Sequence, residues 1–183
     1  MAYDLVIKNG TVVDGTGSPA RRADVAVAGG KIADIGRIAD GAAATIDAAG
    51  LVVAPGFIDP HTHYDAQICW DPQISPSSWH GVTSVVMGNC GVGIAPCKPA
   101  AREVAMRDLV NVEGIPFAVL SQGITWDWQS FPEYLDAAGR RGSALNLAML
   151  APLTPFRHWA MGEASMERAA TPAETAEIAA LLN

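Results

Sequence analysis

The sequence predicts an α/β protein: a β-rich first third, then strands and helices in alternation. Three observations predict it. Residues 4 to 55 alternate apolar and polar side chains at the period of strands with one buried face. From residue 56, short apolar runs recur at Phe57 to His63, Thr83 to Met87 and Ala144 to Leu150. Helix-start signals stand between and after them, a pattern that builds a parallel sheet, here a partial barrel. The expected organisation is a β portion over residues 1–55 and an α/β portion over residues 56–183.

In the first portion, Asp4 to Lys8 runs into Asn9-Gly10, the strongest two-residue hairpin signal. Thr11 to Asp14 is expected to return from that turn. Ala23 to Val27 and Lys31 to Gly36 flank a Gly29-Gly30 turn. In the second portion, Phe57 to His63 is expected as a buried strand and Tyr64 to Pro76 as a long loop. Ser77 to Gly81 reads as a short helical turn, and Thr83 to Met87 as a strand rich in β-branched residues. Gly88-Asn89-Cys90-Gly91-Val92-Gly93 is a glycine-rich loop. It is no phosphate loop, because no Gly-Lys-Ser/Thr follows and Pro96 and Pro99 break the helix it would cap. Residues 101 to 128 look like an insertion, with Arg102 to Val110 as helix and Gly123 to Trp128 as loop. Two capping boxes then open helices. Ser130-Phe131-Pro132-Glu133 leads into Leu135 to Arg140, and Thr171-Pro172-Ala173-Glu174 into Ile178 to Leu182, stopping at Asn183.

Twelve basic against nineteen acidic residues give a net charge of −7. That balance argues against nucleic acid or an anionic membrane as partner, since both need a basic face. No secretory leader pattern opens the chain, and no run of about 18 apolar residues crosses it. Cys69, Cys90 and Cys97 are odd in number and lack framework spacing, which suits reduced thiols in a cytoplasmic protein.

The chemistry concentrates at Gly56-Phe57-Ile58-Asp59-Pro60-His61-Thr62-His63. Side chains two apart on a strand share a face, so both imidazoles meet one space with Cα atoms roughly 6.5 Å apart. That spacing suits two ligands about 2.0–2.1 Å from one ion. An isolated His-x-His is a weak signal. Here it follows Asp47-Ala48-Ala49-Gly50 and Pro55-Gly56-Phe57-Ile58-Asp59, and precedes Gly88-Asn89-Cys90-Gly91. Together these pieces resemble the entry to the catalytic barrel of the amidohydrolase superfamily, and within it the N-acyl-D-amino-acid deacylases (D-aminoacylases).

The resemblance implies the N-terminal part of a (β/α)₈ metal-dependent hydrolase barrel, about three strands, preceded by part of a β-sandwich. A complete barrel needs about 250 residues, so the chain reads as a fragment. In such barrels chemistry collects at the C-terminal strand ends, where His61, His63 and Cys90 would meet. By likeness, His61 and His63 bind one divalent metal ion, and Cys90 binds or bridges to a second, with zinc the expected metal. The remaining ligands and a catalytic aspartate are expected beyond Asn183. Asp65 and Arg157 are candidates for contact with substrate; a solvated loop aspartate and a surface arginine are their plain alternatives. Asp59 is expected to order the strand end. Cys69 and Cys97 read as packed thiols, His80 and His158 as surface or core histidines, and Trp126 and Trp128 as packing over a loop. One departure stands out: related deacylases carry Gly-His-Ser/Thr after the third strand, and the histidine is here Leu153.

The implied reaction is metal-assisted hydrolysis of a non-peptide C–N bond, in an N-acyl-D-amino acid or a related small amide. A cyclic amidase of the dihydropyrimidinase or hydantoinase kind is the runner-up. Such relatives use a carboxylated lysine where this chain offers Cys90. A non-catalytic remnant of the fold is the third reading. Oligomeric state stays open.

Overall fold

The computed structural model describes residues 3–182. Met1, Ala2 and Asn183, the residue at which the sequence ends its last helix, lie outside them. The chain divides into two compact units, Met1–Pro55 and Gly56–Asn183.

The first unit is one five-stranded mixed sheet. Its strands are β1 (Tyr3–Val12), β2 (Arg21–Ala28), β3 (Lys31–Gly36), β4 (Ala42–Asp47) and β5 (Val52–Val53). The order is β3-β2-β1-β4, with β5 also on β1. β2 pairs antiparallel with β1 and β3, while β4 and β5 run parallel to β1. Val6, Ala26 and Ile38 form its buried centre.

The hairpin expected at Asn9-Gly10 is corrected: β1 runs straight through both residues. Ile7 faces Val25 and Gly10 faces Ala23, so Lys8 and Asn9 together oppose Asp24 alone. This is a β-bulge. Asn9 takes φ of 63°, its backbone N–H donates to Asp24 Oδ1 at 2.9 Å and its amide donates to Asp47 Oδ1 at 2.9 Å. The residue pair that favours a tight turn here serves a bulge because two aspartates from neighbouring strands satisfy Asn9.

The second unit is a three-stranded parallel sheet, order β6-β7-β8, formed by β6 (Phe57–Thr62), β7 (Val82–Met87) and β8 (Asn146–Met149). Around it lie α1 (Arg102–Glu113), α2 (Phe117–Gly123), α3 (Phe131–Arg141), α4 (Leu153–Met161) and α5 (Pro172–Leu181), with short 3-10 turns between. Val85 of β7 joins Ile74, Ile94, Leu109, Leu120, Trp128 and Tyr134 in one apolar core. Trp128 packs edge-on to Tyr134, ring centroids 5.0 Å apart. Both capping boxes form, closing the starts of α3 and α5. The turn at Ser77–His80 ends on Gly81.

Three expectations are revised. α1 extends three residues past Val110 to Glu113. α2 and α4 occupy segments where no helix was expected. β6 is an edge strand with Phe57 and Ile58 65% and 68% exposed, not a buried one; nothing among the described residues covers them.

Candidate metal centre

All three strands of the parallel sheet point the same way, so their C-terminal ends share one edge. His61 lies on β6, His63 directly follows it, and Cys90 sits three residues past β7. Local bonds hold these ends together. The Asp59 carboxylate accepts from the His61 backbone N–H at 3.1 Å. The Asn89 amide donates to the Pro60 carbonyl at 3.0 Å, tying the Cys90 loop to β6. Thr62 Oγ1 donates to the Val86 carbonyl at 3.0 Å.

The turn into the Cys90 loop depends on Gly88. It adopts φ of +80°, and a Cβ there would stand 2.2 Å from the Leu150 carbonyl oxygen. Only glycine both takes the left-handed conformation cheaply and lets β8 approach so closely. Leu153, at the position of the departure noted above, opens α4 against Gly91: its Cβ is 3.7 Å from where a Gly91 Cβ would stand.

The outcome is a converging donor set. One ligand atom from each of His61, His63 and Cys90 lies within 4.8 Å of the others. Cys90 Sγ is 3.1 Å from His63 Nε2, and the two imidazole centroids are 5.5 Å apart. Two nitrogens and a sulfur are donors zinc accepts readily. His63 Nδ1 is buried without a hydrogen-bond partner. Its Nε2 meets Cys90 Sγ, so the ring turns that nitrogen toward the other donors. Two imidazoles and a thiol at ligand spacing fit a metal ion.

A fourth side chain reaches this cluster. Glu113, the last residue of α1, puts Oε1 3.6 Å from His63 Nε2. It shares a cavity of about 370 Å³ with Asp59, His61, His63 and Gln67. Sequence reasoning missed it because the helix was ended at Val110; Gly114, with φ of +67° just past the last helical residue, was the available signal.

The other named residues are not among the converging donors. Asp65 is buried, and its Oδ2 lacks a partner. Burial, with the charge of Glu113 adding to it, pushes its carboxyl up to about 7. Arg157 lies on α4, where Nη2 donates to the carbonyls of Ser165 and Arg168 at 2.7 and 3.0 Å. Cys69 and Cys97 are packed thiols, and burial pushes Cys97 up to about 11. His80 is exposed. His158 is buried with two partners: Ser165 Oγ is 2.6 Å from Nδ1, and Nε2 donates to Asp108 Oδ2 at 3.0 Å.

The fold and donor set define an α/β protein with a His-x-His and a cysteine at parallel strand ends. The chain belongs to the amidohydrolase family, whose model matches residues 44–182. It is 39% identical to the D-aminoacylase of Alcaligenes xylosoxydans xylosoxydans over 175 residues, 95% of this chain and 34% of that protein. It is 36% identical to the N-acyl-D-aspartate deacylase of the same organism over 181 residues, 98% of this chain and 34% of that protein. Among solved structures, N-acyl-D-glutamate deacylase from Bordetella bronchiseptica, complexed with zinc and a phosphonate inhibitor, superposes with a TM-score of 0.80. That match has 33% identity and covers 100% of this chain and 36% of the other. The chain therefore spans about a third of the length of these relatives.

Proposed function

We propose that the protein is a metal-dependent amidohydrolase that cleaves the amide of an N-acyl-D-amino acid, with zinc, one or two ions, as its cofactor. The observation that carries this reading is the convergence of His61, His63 and Cys90 at the ends of parallel strands. The three donors would hold the ion. The names of the relatives, deacylases of D-amino acids, support the substrate class. The presence of zinc in the Bordetella structure supports the metal. We read the parallel sheet as the first three strands of a (β/α)₈ barrel and the mixed sheet as part of a β-sandwich that precedes it in sequence. Three free thiols favour a reducing, cytoplasmic setting. Among the described residues no helix is long and apolar enough to cross a membrane.

A bound zinc ion supplies Lewis acidity and a water made acidic enough to act as nucleophile near neutral pH. The chain's own residues prepare the place for it. Asp59 fixes the backbone of His61, and Asn89 fixes the Cys90 loop against β6, so the donors are set before an ion arrives. Cys90 as thiolate brings negative charge and removes the need for a carboxylated lysine. Asp65, buried two residues past His63 with Oδ2 unpartnered, is assigned to contact with substrate. Arg157, with one nitrogen engaged by two carbonyls, is assigned to the α4 surface, where its remaining donors could meet a carboxylate.

The test is turnover by the intact, zinc-reconstituted protein on N-acetyl-D-amino acids, their L-forms and hydantoins, following release of free amino acid. Release from D-substrates alone is expected. Ring opening of hydantoins without deacylation would overturn the reading in favour of the cyclic amidase.

A further inference from the structure

We infer that Glu113 is a carboxylate of the metal centre, offering Oε1 to the ion that His63 holds. The inference rests on the metal site proposed above and adds a donor to it. Its first support is distance. Two donors each about 2.0–2.1 Å from one ion stand roughly 3.3–3.6 Å apart at tetrahedral to trigonal angles. Glu113 Oε1 and His63 Nε2 are 3.6 Å apart.

The second support is the helix that presents it. Ala105, Leu109 and Glu113 recur at intervals of four, so they share one face of α1. The first two are buried, at 4% and 0% exposure. Glu113 stands in line with that row at the exposed end of the helix, its side chain 32% exposed.

The third support is a broken local rule. The C-terminal end of a helix carries partial negative charge, and an acid there is disfavoured. Glu113 is the last residue of α1, and no basic residue stands in that last turn. The cationic partner that would offset this placement is missing from the helix. It is supplied by an ion between Glu113 and His63. Local choices that run against the fold are concentrated at functional sites.

The experiment measures zinc affinity in the intact protein by competition with a chromophoric chelator, and the visible spectrum of the cobalt-substituted form. Glu113→Gln keeps shape and removes charge; Glu113→Asp keeps charge and shortens reach. An affinity loss of about 10–100-fold is expected for Glu113→Gln, by analogy with groups supporting metal sites. A shifted cobalt spectrum and partial recovery in Glu113→Asp are expected with it. Unchanged affinity and an unchanged spectrum in Glu113→Gln, while His63→Ala loses metal, would overturn the inference alone. Metal retained by both His61→Ala and His63→Ala would instead sink the metal-site reading on which it rests.

Discussion

Two histidine clusters of the same α/β unit use nearly the same chemistry to opposite ends. Around His158, every ring nitrogen is spent: Ser165 meets Nδ1 and Asp108 accepts from Nε2. Around His61 and His63, donors converge on each other, and His63 Nδ1 is left buried without a partner. The serine–histidine–aspartate set has the membership of a catalytic triad. Its satisfied bonds join α1 to α4 and the turn after it, which is the work of a brace. The His–His–Cys set instead gathers three donor atoms within 4.8 Å of one another, an arrangement an ion would complete. Residue type therefore does not separate proposed site from scaffold here; the arrangement of the donors does.

The sharpest way to break this comparison is to remove the donors. On the proposed reading, in which the metal supplies the nucleophile, His61→Ala and His63→Ala should each abolish bound zinc at micromolar total metal and lower kcat by at least about 10³-fold. Cys69→Ser and Cys97→Ser should leave both near the parent. Metal analysis of the four purified variants, alongside turnover, decides it. Equal losses in all four would move the site elsewhere.

A second test concerns the loop that carries Cys90. Gly88→Ala forces a side chain into a left-handed backbone and against the Leu150 carbonyl. Roughly 2–4 kcal/mol of stability should go, from conformational strain and steric conflict together. Zinc affinity should fall with it, because the loop must shift. Chemical denaturation of the metal-free protein measures the first effect. A neutral substitution would show that β8 and this loop can separate freely.

The opposite cluster should respond in the opposite sense. His158→Ala removes two hydrogen bonds and leaves the Asp108 carboxylate, 15% exposed, without its partner. A loss of about 2–3 kcal/mol is expected, most of it the cost of the stranded acid. Zinc affinity should stay at the parent value. A stable variant with altered metal binding would erase the distinction between brace and site.

How much of this was legible in the sequence varies with range. The His-x-His face follows from the period of a strand, and Cys90 joins it once the strands are taken as parallel. The two capping boxes are local chemistry and form as read. Asn9-Gly10 misled because its conformation suits a hairpin and a bulge alike; Asp24 and Asp47, distant in sequence, decide between them. α4 was hidden by Pro152 and Pro155, yet proline in a first turn removes only N–H groups that lack helical partners anyway. His158 looked isolated because Asp108 lies 50 residues away. Glu113 was hidden by ending its helix one turn early.

The smallest expected effect separates both clusters from ordinary surface pairing. Asp127, 43% exposed, accepts from Thr125, Arg140 and Arg141. Its slight burial pushes the carboxyl upward, but the bonds from Thr125 and Arg141 prevail and hold it down at about 2. A carboxyl depressed in the folded state contributes stability above its unfolded value of about 3.9 and loses it as pH falls through the folded one. The contribution should therefore be complete at pH 7 and vanish between about pH 4 and 2. Solvent screening at this exposure keeps it below about 1 kcal/mol. Asp127→Asn should cost that much at pH 7, cost nothing near pH 2, and cost less at 1 M salt, where the screening length is about 3 Å. Denaturant melts of parent and variant across that range test it. A deficit that persisted to pH 2 would mean that the asparagine disrupts packing against Arg141 rather than removing a charge.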